Sequence, residues 1–299
     1  MVVEFEPQSE HILSGAAATL AVTFYADGVA SDPGVTTVTV TRLDGTAIVT
    51  DGATATGATG VRTYALAAEH TAELDILTVA WDSATYGVVE QTVEIVGGFL
   101  FSIRQARAAD GGALANTSTY PTDAIEQARQ AIAEEFETVC GTSFVPRLTR
   151  QTIDGAAADW LFLPHLDVTA VRNVEVLDTA DGSWTAYTAG ELADVQVLDA
   201  GRIRRLDGST FARGRQNIRV TYEHGHELVP VSITEAALLY LRYRLVGSNL
   251  ESRTISATNE YGSEQYWTPG YSGRGSAINE IPFVDKVLRQ HMQRRVAVA

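Results

Sequence analysis

Over residues 1–98 apolar side chains recur at every second position, as at Leu20, Val22 and Phe24, or at Val38 and Val40 among threonines. That period is the period of half-buried strands. Val61–Leu66, Leu74–Trp81 and Val88–Val96 supply three more runs of the same kind, and Leu43-Asp44-Gly45-Thr46 carries the Asp-Gly signal of a tight hairpin. Short strands at this spacing predict a small immunoglobulin-like sandwich. With no Cys…Trp…Cys pattern an antibody-type domain is excluded, and Trp81 is expected in the core. Gly97-Gly98 is the expected boundary.

The period then changes. After a short helix expected over Ser102–Ala109 and a polar linker, Ile125, Ala128, Ile132, Phe136 and Val139 recur at steps of three and four, the stripe of an amphipathic helix over residues 123–139. Asp123 and Glu126 are spaced as a capping box, and Gly141 as a C-terminal stop. Period two returns over residues 147–223, with Val168, Val174 and Val176 among polar neighbours and with turns at Asp181-Gly182 and Asp207-Gly208. Ser232-Ile233-Thr234-Glu235 predicts a second capped helix over 232–246, whose mostly apolar faces predict a buried position. Residues 248–277 show no sustained period. A last helix is expected over 282–295, with Ile281, Phe283, Val284, Val287 and Leu288 as its apolar residues and Lys286, Arg289, Arg294 and Arg295 as a basic cluster.

Composition narrows the classes. One cysteine in 299 residues excludes an intramolecular disulfide and argues against a cysteine-built metal site. The opening MVVEFEPQSE has neither the basic nor the apolar region of a secretory signal, and no run approaches the roughly 18 apolar residues of a membrane span. A soluble protein made in the cytoplasm is expected; the Asn116-Thr117-Ser118 sequon is then linker chemistry. The net charge of −15 is uneven: residues 1–100 carry 13 acidic and 2 basic side chains, residues 101–299 carry 24 and 20. So acidic a chain is a poor non-specific nucleic-acid binder, because phosphate neutralisation needs clustered Lys and Arg, and the cluster from Lys286 to Arg295 is a local departure from acidity.

Candidate chemistry is sparse. Glu223-His224-Gly225-His226-Glu227 offers metal-ligand types, but Gly225 and Val229-Pro230 read as a turn, and two imidazoles on one side would need a strand there. Cys140 continues an apolar helix edge and is expected in the core. Gly270–Gly275 lacks both the preceding strand and the Gly-Lys-Ser/Thr ending of a phosphate loop. No catalytic, cofactor or metal residues are assigned, and no enzyme activity is expected.

The order of these features, from Tyr120–Arg147 through a turn-rich β segment to Tyr222-Glu223-His224-Gly225, Val229-Pro230 and a second helix, resembles the head-to-tail adaptor (connector) proteins of long-tailed double-stranded DNA viruses. The resemblance runs from Phe99 to the C-terminus. It implies a helical-bundle adaptor domain over 99–299 with a β-rich insertion at 147–223; with the all-β sandwich at 1–98, which simple adaptors lack and which looks like a decoration on the outside of the neck, the expected class is α+β. It further implies a structural virion protein without cofactor. Such a protein forms a ring, commonly twelvefold, under the portal, extends the DNA channel without reading sequence, and docks the next neck or tail-completion protein. Portal binding would fall on the C-terminal segment: Ile281, Phe283, Val284, Val287, Leu288, Arg289, Arg294 and Arg295. The alternative is a carbohydrate-binding or adhesion module on the sandwich, using Trp81 and Tyr86, with a C-terminal oligomerisation domain.

Overall fold

The computed structural model describes residues 3–7, 11–178, 180–246, 256–259, 262–265 and 281–292, with 3–7, 256–259 and 262–265 as backbone alone. The first strands are β1 (Val3–Pro7), β2 (His11–Leu13), β3 (Ala18–Ala26), β4 (Val29–Ala30), β5 (Thr36–Thr41), β6 (Ala47–Ala53), β7 (Ala55–Thr56), β8 (Val61–Leu66), β9 (Asp75–Ser83) and β10 (Gly87–Val96). Helices α1 (Ile103–Ala108) and α2 (Thr122–Cys140) follow. Next come β11 (Arg147–Gly155), β12 (Trp160–Phe162), β13 (Val168–Leu177), β14 (Trp184–Ala186), α3 (Ala189–Ala193), β15 (Val195–Leu198), β16 (Arg202–Arg205) and β17 (Gly214–His224). The chain continues with α4 (Val231–Val246), β18 (Ser256–Asn259), β19 (Gly262–Gln265) and α5 (Pro282–His291).

The chain divides into two compact units, one of residues 1–98 with 145–227, the other of 99–144 with 228–299. In the first, β1-β3-β8-β7, with β4 on β3, forms one sheet and β2-β10-β9-β5-β6 another. Their alternate side chains close a core of Leu20, Val22, Phe24, Val38, Val40, Val79, Trp81 and Val93. Strands β11-β17-β13-β14 form a third sheet and β12-β16-β15 a fourth, sharing a core that includes Leu161, Val174, Ile203, Phe211, Val220 and Tyr222. Within this unit β10 is tied to β11. Arg147 Nε donates to Glu94 Oε1 at 2.8 Å and a second guanidinium nitrogen pairs with Glu94 Oε2. His11 Nε2 stands 3.2 Å from Arg147, and Gly97 N donates to Pro146 O at 2.8 Å.

The second unit packs α1, α2, α4 and α5 around Leu100, Phe101, Ile125, Ile132, Phe136, Phe144, Ile233, Leu241, Val284 and Leu288. The stripe on α2 is the expected one, and Gly141 ends the helix in the left-handed conformation at φ 71°.

The expected fold class needs correction. The chain is mostly β and not a helical-bundle adaptor domain carrying a β insertion: among the described residues strands outnumber α-helices nineteen to five, and α3 sits between strands of the first unit. Residues 147–223 build a core of their own and belong with residues 1–98, because the Arg147–Glu94 pair and the Gly97–Pro146 bond join them there. Period-3.6 stripes stand out in the sequence and drew weight toward the helices. The β segments are legible from their two-residue alternation, but alternation does not show that together they outweigh the helices and build cores of their own.

The helix starts also differ. Pro121 takes the N-cap position of α2 with no side-chain cap, leaving Asp123 inside the first turn, where its carboxylate faces the positive end of the helix dipole. Helix α4 begins after Pro230, so Ser232 lies within its first turn rather than at its cap. A proline at the cap position has no side-chain oxygen to accept from the first helical N–H groups, so no capping box forms at Pro121. Reciprocal capping boxes form instead at Ser102/Gln105 of α1 and Thr188/Glu191 of α3. Nor is α4 buried all round: Ile233, Ala236, Ala237 and Leu241 are buried, while Val231, Leu239 and Val246 are exposed.

Candidate functional site

Helix α5 starts at Pro282, after Ile281 in extended conformation, and is amphipathic. Val284, Val287 and Leu288 are buried in the core of the second unit, and Ile281 packs against it half-buried. The Leu288 carbonyl accepts from the Cys140 thiol at 3.5 Å. At the helix end His291 Nε2 lies 3.1 Å from Ser232 Oγ, and its ring meets Phe144 edge-on at 5.8 Å. The apolar residues read as a candidate portal contact therefore divide. Three face inward, and Phe283, 43% exposed, faces outward. Phe283, Lys286, Arg289 and Gln290 are exposed beside half-buried Asp285, and Pro282, Asp285, Lys286, Arg289 and Gln290 line a shallow open groove. The outward surface of α5 is thus one aromatic ring with two cations. Arg294 and Arg295 lie outside the described residues, as do Gly270–Gly275 and most of 248–277.

The corner at 223–227 is built differently from a metal site. His224 closes β17 and is buried, and Gly225 follows at φ 104° with its N–H donating to Asp167 O at 2.9 Å. The His224 ring stacks face to face on His165, centroids 3.7 Å apart and 9° from parallel, and His165 Nδ1 lies 2.7 Å from the Tyr222 hydroxyl. Burial, followed by the neighbouring His165 and Arg147, pushes His224 down to about 3, so its ring is neutral at neutral pH. Burial also holds the Tyr222 phenol above its ordinary value. Stacked ring faces do not aim nitrogen lone pairs at one point, and among the described residues no three His, Cys, Asp or Glu side chains are grouped to hold a metal ion. The sequence did not show His165 as a partner. Fifty-nine residues separate it from His224, and only the return of β17 beside β13 brings them together.

Cys140 is buried at the end of α2, and burial pushes its thiol up to about 12, far from the thiolate a nucleophile needs. Trp81 is fully buried, and half-buried Tyr86 stacks on Phe24 at 6.0 Å with its hydroxyl bonded to Ser31. The two rings considered for sugar stacking are therefore occupied within the sandwich. No described helix is long and apolar enough to cross a membrane.

No protein-family model matches the chain, and no curated protein matches it. Among solved structures it is similar to a chain in the neck of an empty GTA particle computed with C6 symmetry. The identity is 15%, the match covers 68% of this chain and 97% of that one, and the TM-score is 0.41. It is similar also to a chain in the neck of a native GTA particle computed with C12 symmetry, at 16% identity over 64% and 95%, again at 0.41. A conjugative transposon lipoprotein from Bacteroides eggerthii matches 31% of this chain at 15% identity and a TM-score of 0.20.

Proposed function

We propose that this chain is a structural connector protein of the neck of a tailed double-stranded DNA virus or a related particle. It would form a ring beneath the portal, extend the channel through which DNA passes without sequence-specific binding, and present a platform to the next neck or tail-completion protein. The observation that carries this reading is the order of elements. A long helix, α2, is followed by an antiparallel β segment that ends at the Tyr222–Gly225 corner. A Val-Pro start then opens α4, and α5 returns to the same core. No cofactor enters the role, which lies in contacts between surfaces.

Portal contact is assigned to the outward surface of α5, with Phe283 as the aromatic anchor and Lys286 and Arg289 as cations for an acidic partner. Val284, Val287 and Leu288 support that surface from inside. The test mixes full-length protein with portal-containing capsids that lack a connector and images them by electron microscopy. Ring density below the portal is expected. Replacing Phe283→Asp together with Lys286→Glu and Arg289→Glu should remove that density while leaving the circular dichroism unchanged. No density with the wild type refutes the connector role. Undiminished density with the triple variant refutes the assignment to α5.

A further inference from the structure

The fourth sheet of the first unit carries an outward face that the connector reading does not use. Strand β12 pairs only with β16, so it is an edge, and its register sets Trp160 opposite Arg204 and Phe162 opposite Arg202. Residues directly opposite in an antiparallel pair share a face. Leu161 and Ile203 between them are buried on the other side. The outward face therefore presents Trp160 and Phe162, 41% and 54% exposed with rings in edge contact at 4.9 Å, beside exposed Arg202 and Arg204. Arg204 Nε donates to Asp159 at 2.8 Å in an exposed pair. Aromatic rings and arginines at the centre of an exposed face are the composition of interface hot spots.

The same unit carries a complementary surface. On the outer side of β5-β9-β10, Val88 lies opposite Asp82, and Glu90 lies two residues along on the same face. Val35 enters β5 at 80% exposure, and Val88 is 61% exposed. Asp82 and Glu90 are exposed. Arg42 and Arg62, the two basic side chains of residues 1–100, are already paired with Asp75 and Asp32. Both arginines are thus engaged with carboxylates outside this patch. One face has an aromatic centre flanked by arginines, the other an apolar centre flanked by carboxylates.

We propose that the Trp160/Phe162/Arg202/Arg204 face of one copy docks on the Val35/Val88/Asp82/Glu90 face of the next, a head-to-tail contact between copies of this chain. Because the two faces differ, the contact is heterologous and propagates, closing into a ring where the rotation allows. A net-acidic chain disfavours approaches that bring its carboxylates together, and the arginine face supplies a register that avoids this.

The test uses full-length chains. Phe162→Cys in one preparation and Val88→Cys in another, mixed under mild oxidation, should give a disulfide-linked dimer, and the doubly substituted chain should give a ladder. Arg202→Glu with Arg204→Glu should lower the cross-linking yield about tenfold or more, and Asp82→Arg with Glu90→Arg on the other copy should restore part of it. Absence of the mixed dimer, dimers from Phe162→Cys alone, or indifference to charge reversal would each overturn the contact. Chains that cross-link as described but leave portals bare would refute the connector role and leave this contact standing.

Discussion

Neutral His224 makes the first unit acid-sensitive in a calculable way. The ring is buried against His165 with Arg147 nearby, and its folded value lies near 3 against an ordinary 6.5. The unfolded chain therefore takes up a proton as pH falls through 6.5, and the folded chain does not until far lower. Stability contributed by this group is present above the unfolded value and is lost as pH falls from about 6.5 toward 3. Between pH 7 and pH 5 the folded ring stays essentially neutral, so the loss depends almost wholly on the unfolded value and comes to about 2 kcal/mol.

The measurement is the urea-unfolding free energy at both pH values for wild type and for His224→Phe, followed by tryptophan fluorescence. Phenylalanine can still stack on His165 but cannot titrate. Carboxylates that titrate in the same window contribute to both proteins and cancel in the comparison. The variant should lose about 2 kcal/mol less than the wild type over this window. Parallel losses in the two proteins would show that His224 is solvated or already charged in the folded state, and the buried stack would then be wrong.

Gly155→Ala should destabilise the first unit by more than about 3 kcal/mol, because the added carbon would stand 1.7 Å from the Ala212 carbonyl oxygen. Urea unfolding checks it, and a neutral result would mean that β11 and the segment before β17 are further apart. Phe136→Ala, which empties a fully buried ring position among α2, α4 and α5, should cost the second unit about 3–5 kcal/mol. Helical circular dichroism during melting reads that loss, and an unchanged melt would contradict the packing of α5 on α2.

How much was legible follows from the range of each interaction. The stripe Ile125–Ile132–Phe136 depends on residues three and four apart, so the sequence displays it and the structure buries it. Strand positions such as Val38, Val40 and Trp81 were legible for the same reason. The helix caps differ from expectation because Ser-x-x-Glu and Asp-x-x-Glu fit the local rule while Pro121 and Pro230 set the helix starts. The fold class is not legible locally, because grouping depends on partners far apart in the chain. Nothing near Arg147 signals that its partner is Glu94, 53 residues earlier. Trp160-Leu161-Phe162 reads as an apolar run, and only the pairing with β16 shows that the two rings face out and the leucine in.

Taken from composition alone, the 13 acids against 2 bases of residues 1–100 look like a solubilising coat, and the sandwich like a decoration. The Glu94–Arg147 pair instead makes the sandwich part of the same unit as the aromatic–arginine face. Cutting the chain at Gly98 would strand Arg147 without its carboxylate and uncover β11, and losing one partner of a largely buried pair costs more than the pair contributes. A surface uniform in charge repels every approach equally, so it cannot specify one neighbour. A net-acidic surface with a few separate basic patches, the arginine-bearing face of β12 and β16 among them, permits few approaches, and orientation then comes from repulsion elsewhere as much as from attraction at the contact.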